Sequence, residues 1–180
     1  MSEIERPGVT RREMLSGAAL ALGALAFLPR TLRAADAKFA LPKATELALD
    51  KSKLVYVSPL RADGRESTCH GEVWYFWDRG AVVLATASKG WKARAVKSGK
   101  DKARIWVGDY GQYSSASEKL ATAPTFLANA AVDTDKETFA RLLASYSTRY
   151  ADEWAKWKPK FESSYADGSR TVIRYTPLGA

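Results

Sequence analysis

Two tight-turn signals set between runs of β-branched and aromatic residues constrain this chain more than any other feature. Leu54, Val55, Tyr56 and Val57 form the first run. Ala62-Asp63-Gly64 follows as a turn, because Asp-Gly tolerates the positive φ angles of a hairpin. Residues 66–77 make a long second run, aromatic at Trp74, Tyr75, Phe76 and Trp77. Asp78-Arg79-Gly80 turns again, and residues 81–86 make a third run. Two successive hairpins read as an antiparallel meander, the opening of a barrel or sandwich.

The rest of the chain mixes strands with helices. Residues 43–51 read as a short helix with Ala44, Leu47 and Ala48 on one face. Residues 88–96 read as another, with Ser88 able to cap it and Gly99 closing the segment. Residues 103–107 resume the sheet, and the glycines at 108 and 111 break it. Residues 125–132 suit a strand, although their alanines also permit a helix. Asp133 or Thr134 can cap a helix carrying Phe139, Leu142, Leu143 and Tyr146 at helical spacing. A second helix is expected around residues 152–158, carrying Trp154 and Trp157, with Pro159 ending or bending it. Asp167-Gly168 turns into a closing strand over residues 170–175.

Residues 1–37 stand apart from this pattern. Arg11-Arg12 precedes an uncharged run over residues 17–28, Pro29 breaks the run, and Ala35-Asp36-Ala37 supplies small residues for cleavage. The segment resembles a twin-arginine (Tat) signal peptide. That resemblance implies handling by the Tat export machinery, removal of the leader, a periplasmic or otherwise exported destination, and folding before export. The apolar run is short of the roughly 20 residues that span a bilayer, so no stable membrane span is expected. Residues 38–180 then form one domain of α+β class.

Lysine and arginine outnumber aspartate and glutamate 28 to 20, for a net charge of +8. Such a balance favours anionic ligands. The basic residues are spread along the chain, so nucleic acid is not selected as a partner. Cys69 and His70 are the only cysteine and histidine. A disulfide within the chain is therefore excluded, these residues are too few for a zinc site, and no metal site is expected. Cys69 reads as a small buried strand residue. No nucleophile motif surrounds His70, which argues against a Ser-His-Asp hydrolase.

The segment from Thr86 to Arg94 is the most suggestive chemically. A strand delivers the hydroxyls of Thr86 and Ser88 into a turn, and Lys89, Lys92 and Arg94 follow at the start of a helix. Unpaired N–H groups, the helix dipole and cationic side chains together suit a phosphate. The same stretch also reads as a surface helix, with its cations in solvent and Trp91, Ala95 and Val96 inward.

Three stretches, residues 54–64, 72–80 and 84–95, resemble the pyridoxamine 5′-phosphate oxidase-like group of FMN-binding split barrels, nearest to its flavin and deazaflavin oxidoreductase branch. The similarity runs from about residue 51 to 109 and returns at 167–177. It implies a six-stranded antiparallel split β-barrel with flanking and C-terminal helices. By position it implies phosphate contacts at Thr86, Ser88 and Lys92, with Lys89 and Arg94 as helpers. The cofactor ring is then approached by Trp74 and Phe76, or by Glu72 and Tyr75 from the opposite face. FMN is the implied cofactor, with deazaflavin or haem as alternatives; for haem, His70 is the available axial ligand. The resemblance also implies a homodimer, a small-molecule electron donor or acceptor, and hydride or electron transfer at the flavin. The C-terminal Arg-x-His motif of pyridoxamine phosphate oxidase itself is absent, since Thr176-Pro177 follows Arg174-Tyr175. Oxidation of pyridoxamine phosphate is accordingly not expected.

Overall fold

The single long strand expected over residues 66–77 is interrupted at Tyr75, and that interruption organises the fold. A computed structural model describes residues 40–179; the leader expected over residues 1–37 lies outside the described residues. The chain runs α1 (Lys43–Lys51), β1 (Leu54–Pro59), β2 (Gly71–Trp74), β3 (Phe76–Asp78), β4 (Ala81–Ala87) and α2 (Trp91–Lys97). It continues through β5 (Lys102–Val107), α3 (Tyr113–Leu120), β6 (Thr125–Asp133), α4 (Lys136–Arg149), α5 (Ala151–Ala166) and β7 (Arg170–Pro177).

All seven strands lie in one antiparallel sheet ordered β2-β1-β5-β6-β7-β4-β3. β2 and β3 are its two edges, yet only Tyr75 separates them in sequence. Because neighbouring Cα atoms stand about 3.8 Å apart, the sheet has to curl until its edges almost meet. The result is a nearly closed α+β barrel with seven strands rather than the expected six.

Alternation decides what fills it. Val55, Val57, Val82, Leu84, Ile105, Ala128, Ile173 and Tyr175 point inward and form one buried cluster, joined by Leu49 of α1 and Ala93 of α2. The opposite faces carry helices. Val83, Ala85 and Val172 pack beneath α4 and α5, and Tyr56 packs beneath α3. Strand β4 is buried on both sides from Ala81 to Ala85, which is why it reads as a continuous apolar run. The β3–β4 hairpin turns through Arg79 and Gly80, both at positive φ (53° and 82°), the two-residue geometry whose twist suits its flanking strands.

The remaining differences from expectation are local. β6 is a strand, with Phe126, Ala128 and Ala130 buried and Thr125, Leu127 and Asn129 exposed in strict alternation. The cap of α4 is Asp135, whose carboxylate accepts the Glu137 N–H at 2.9 Å, in place of Asp133 or Thr134. α5 continues through Pro159 to Ala166. Pro159 and Ala155 both lie on its exposed face, so water can satisfy the carbonyl that loses its helical partner. α3 is unanticipated: its serines favour a loop, and its helix is held by Ala116 and Leu120 packing in the Tyr56 cluster.

The interruption at Tyr75 removes its backbone from the ladder, and α4 replaces the lost partners. The Tyr75 N–H donates to the Tyr150 hydroxyl at 2.9 Å. That hydroxyl in turn lies 2.9 Å from the Lys53 carbonyl and 3.0 Å from the Tyr75 carbonyl. The Tyr75 hydroxyl donates to the Leu49 carbonyl at 2.6 Å and accepts from Arg149 at 2.8 Å. Arg149 also donates to the Leu49 and Ser52 carbonyls at the end of α1. Replacing Tyr150 with Phe strands a buried N–H. The Tyr150→Phe variant should lose about 2 kcal/mol, seen as a lower urea midpoint at unchanged slope. An unchanged midpoint would show that these bonds do not hold the seam.

Candidate cofactor and ligand site

The end of β4 is pinned before it reaches the turn. Ala85, Thr86 and Ala87 pair with Val172, Thr171 and Arg170 of β7. Beyond them the Ser88 N–H donates to the Ser169 carbonyl, and the Ser88 hydroxyl donates to the Gly168 carbonyl at 2.7 Å. Ser88 therefore ties the turn to the α5–β7 connection and does not cap α2. That helix starts at Trp91 behind Gly90 with no side-chain cap, and spans only seven residues.

Gly90 is required by space. A Cβ there would stand 3.0 Å from the Ala87 carbonyl oxygen and 3.7 Å from Thr86 Oγ1. Lys89 is exposed, and Arg94 leans back to donate to the Lys89 carbonyl at 3.2 Å. Lys92 is different: it is half-buried, with Nζ 4.1 Å from the centroid of the Trp91 ring. Burial pushes its pKa down to about 8, opposed by the Glu72 carboxylate. Among the described residues no carboxylate oxygen lies within 4.0 Å of Lys89, Lys92 or Arg94.

Trp74 sits apart from that turn. Val73 and Tyr75 join the barrel interior, whereas Trp74 and Phe76 face outward toward α4 and α5. Glu72 shares the outward face of Trp74, by strand alternation, and accepts the Tyr113 N–H at 3.0 Å. The expected grouping of Glu72 with Tyr75 is thus corrected, because the two residues stand on opposite faces of the sheet. Trp74 stacks on Tyr150 at 4.3 Å and 8°, and meets Tyr146 and Trp157 edge-on.

Trp74, Tyr146 and Trp157 line a cleft of about 360 Å³ together with Ala85, Phe161 and Arg170. Its walls come from β2, β4, α4, α5 and β7. The Arg170 guanidinium lies 4.0 Å over the Phe161 ring and donates to the Ser164 hydroxyl at 2.8 Å and more weakly to the Ala85 carbonyl. Burial lowers its pKa, partly countered by Tyr146. No carboxylate partners it among the described residues. Glu153 also lines the cleft and accepts the Trp157 indole N–H at 3.4 Å. Ala85 belongs to the cleft and Thr86 to the turn, so the two features adjoin along β4.

Arg170 and Phe161 were not indicated by sequence. Phe161 lies beyond Pro159, which is expected to end or bend the helix, and Arg170 shows only as the first residue of a strand. Trp154 is buried in the core, while Trp157 is half-buried and lines the cleft. Cys69 is exposed in the connection before β2, not buried in a strand. His70 stacks on Tyr113 at 3.6 Å and is not among the cleft residues. Among the described residues no cluster of His, Cys, Asp or Glu is placed to hold a metal, and no helix is long and apolar enough to cross a membrane.

Lys92 makes a prediction of definite sign. Its folded pKa, near 8, lies below the ordinary 10.5. Below pH 8 the ammonium is charged in both states and its burial costs stability; the cost fades as pH rises from about 8 toward 10.5. Lys92→Met should therefore be more stable than the parent at pH 7 in urea, with the gap narrowing by pH 10. A gap independent of pH would contradict this.

No family model matches the chain, and no curated protein matches it. Solved structures do. It is similar to the conserved hypothetical protein Rv2991 from Mycobacterium tuberculosis, with TM-score 0.53 and 20% identity over 79% of this chain and 84% of that one. It is also similar to HutZ, the heme storage protein from Vibrio cholerae, with TM-score 0.49 and 15% identity over 79% of this chain and 93% of that one. An F420 reductase aligns with TM-score 0.44 and 16% identity, over 77% of this chain and 97% of that one. What the similarity to Rv2991 shows is a shared fold: a nearly closed antiparallel barrel with helices packed outside it.

Proposed function

We propose that this chain is an exported flavin-binding split-barrel protein, holding FMN and serving as an oxidoreductase. Lys92 carries the proposal. A half-buried ammonium with no carboxylate oxygen within 4.0 Å among the described residues is costly in the free protein, and a phosphate beside it would add the close opposite charge that the more distant Glu72 does not supply. The surroundings fit. Gly90 leaves room beside Thr86 Oγ1, and Lys89 and Arg94 add charge at the rim. Ser88 would have to turn its hydroxyl away from Gly168 to meet the phosphate.

The rest of the cofactor would extend along the outer face of β2 past Glu72, its ring ending at the rim of Trp74 and outside the cleft that Trp74, Tyr146 and Trp157 line. A bound flavin supplies hydride or electron transfer, so no side-chain nucleophile is required. The side chains would bind and orient it while the seam behind β2 excludes water. The twin-arginine pattern of residues 1–37 supports export after folding, in keeping with a cofactor loaded beforehand. A homodimer is part of the proposal.

The test is a visible spectrum of the purified full chain, followed by titration with FMN and with riboflavin. FMN should bind at micromolar concentration or tighter, and Lys92→Ala should weaken it about tenfold while leaving riboflavin unchanged. Affinity for FMN should fall as pH rises above about 8, where the Lys92 charge is lost. Absence of flavin bands together with no FMN binding would overturn the proposal. A Soret band abolished by His70→Ala would select haem in its place.

A further inference from the structure

The geometry points to a second ligand site: we infer that the aromatic cleft binds a planar aromatic ligand carrying one anionic group, received by Arg170. For the role of that ligand as the second reactant, the inference rests on the flavin proposal; for binding itself it does not.

Arg170 is the reason. It is half-buried, and its described partners are all neutral: the Ser164 hydroxyl, the Ala85 carbonyl and the Phe161 ring. A desolvated guanidinium without a counter-charge is well suited to an incoming carboxylate or phenolate, which it can grip through two parallel N–H bonds. Among the residues that line the cleft Arg170 is the one cation and Glu153 the one carboxylate, while the exposed Lys160 and Lys156 stand 5.0 and 5.9 Å from the Trp157 ring.

The walls set the shape of the ligand. Trp74 and Trp157 are half-buried, Trp74 stands nearly perpendicular to Tyr146 and Trp157, and one of its faces is already spent on Tyr150. A flat ring system is the ligand that packs best against walls made of aromatic rings. The Tyr146 hydroxyl donates to the Trp74 carbonyl at 2.8 Å, so its proton is not available to an anionic ligand. Glu153 disfavours a second anionic group, which limits the ligand to one.

The probes are 2-naphthoate and its neutral counterpart 2-naphthalenemethanol, titrated into the full chain by quenching of tryptophan fluorescence and by calorimetry. Naphthoate should bind at least about tenfold more tightly than the alcohol. Arg170→Gln should erase that preference and Arg170→Lys should keep part of it. Trp157→Ala, at a half-exposed position, should weaken both probes alike. Equal affinity for acid and alcohol, or a preference that survives Arg170→Gln, would overturn the inference. Saturation with FMN should leave naphthoate binding intact. If FMN displaces naphthoate, the cleft is the seat of the cofactor ring and the second-reactant role fails, with the flavin proposal untouched. If naphthoate binds and FMN does not, the flavin proposal fails and the anionic-aromatic site stands.

Discussion

The barrel depends on how one residue, Tyr75, is allowed to leave the hydrogen-bonded ladder. Edge strands are a hazard because their N–H and C=O groups remain open to pairing. Here the chain passes from one edge of the sheet to the other through a single residue, so the edges protect one another. Such a step would leave a buried backbone unpaired, and Tyr150 supplies the missing partner. Arg149, next to it in sequence, meets the Tyr75 hydroxyl and the carbonyls at the end of α1. Two adjacent residues, Arg149 at the end of α4 and Tyr150 between α4 and α5, thus join the seam, α1 and the helical layer.

That seam also decides what the outer face of β2 can do. With Tyr75 inward, Trp74 and Phe76 are turned outward beneath α4 and α5. Tyr150 contributes its hydroxyl to the seam and its ring face to Trp74, so the cleft inherits rigidity from the closure of the barrel. A binding wall built on strands and locked by packing is preorganised, and little ordering remains for a ligand to impose.

The strands with strong local signals were legible in the sequence. β1, β4, β5 and β7 are apolar or β-branched runs bounded by turns, and the alternation that would settle β6 is present in Phe126, Ala128 and Ala130 but blurred by small side chains. The break at Tyr75 was not legible, because it falls within an unbroken aromatic run and is caused by closure, a long-range event. Pro159 misled for the opposite reason: a local rule against proline yields when the orphaned carbonyl faces water. In the same way the Thr86–Arg94 segment is readable because its hydroxyls and cations are contiguous. The cleft is not, since its residues come from five separate elements and only the folded chain brings Arg170 and Trp74 into one lining.

The contrast between two arginines on one strand shows that the lack of a counter-charge at Arg170 is particular to that place. Arg170 and Arg174 both lie on the outer face of β7, on either side of Val172. Arg174 donates to Asp78 at 2.7 Å and to Asp133 at 2.9 Å, and Arg141 joins the same Asp78 at 3.0 Å. Burial works against the Asp78 carboxylate, but hydrogen bonds from Arg141 and Arg174 hold it below its ordinary pKa. At that end of the strand the fold neutralises its half-buried cations from within. Four residues away on the same face, Arg170 faces a ring and neutral oxygens, and across the end of β4 Lys92 faces a ring as well. A half-buried cation is costly without an opposite charge beside it, and among the described residues no carboxylate oxygen lies within 4.0 Å of Lys92 or Arg170. Both cations adjoin the same strand end, Lys92 near the Thr86 hydroxyl and Arg170 among flat rings, and this pairing is the ground on which two anionic ligands are proposed.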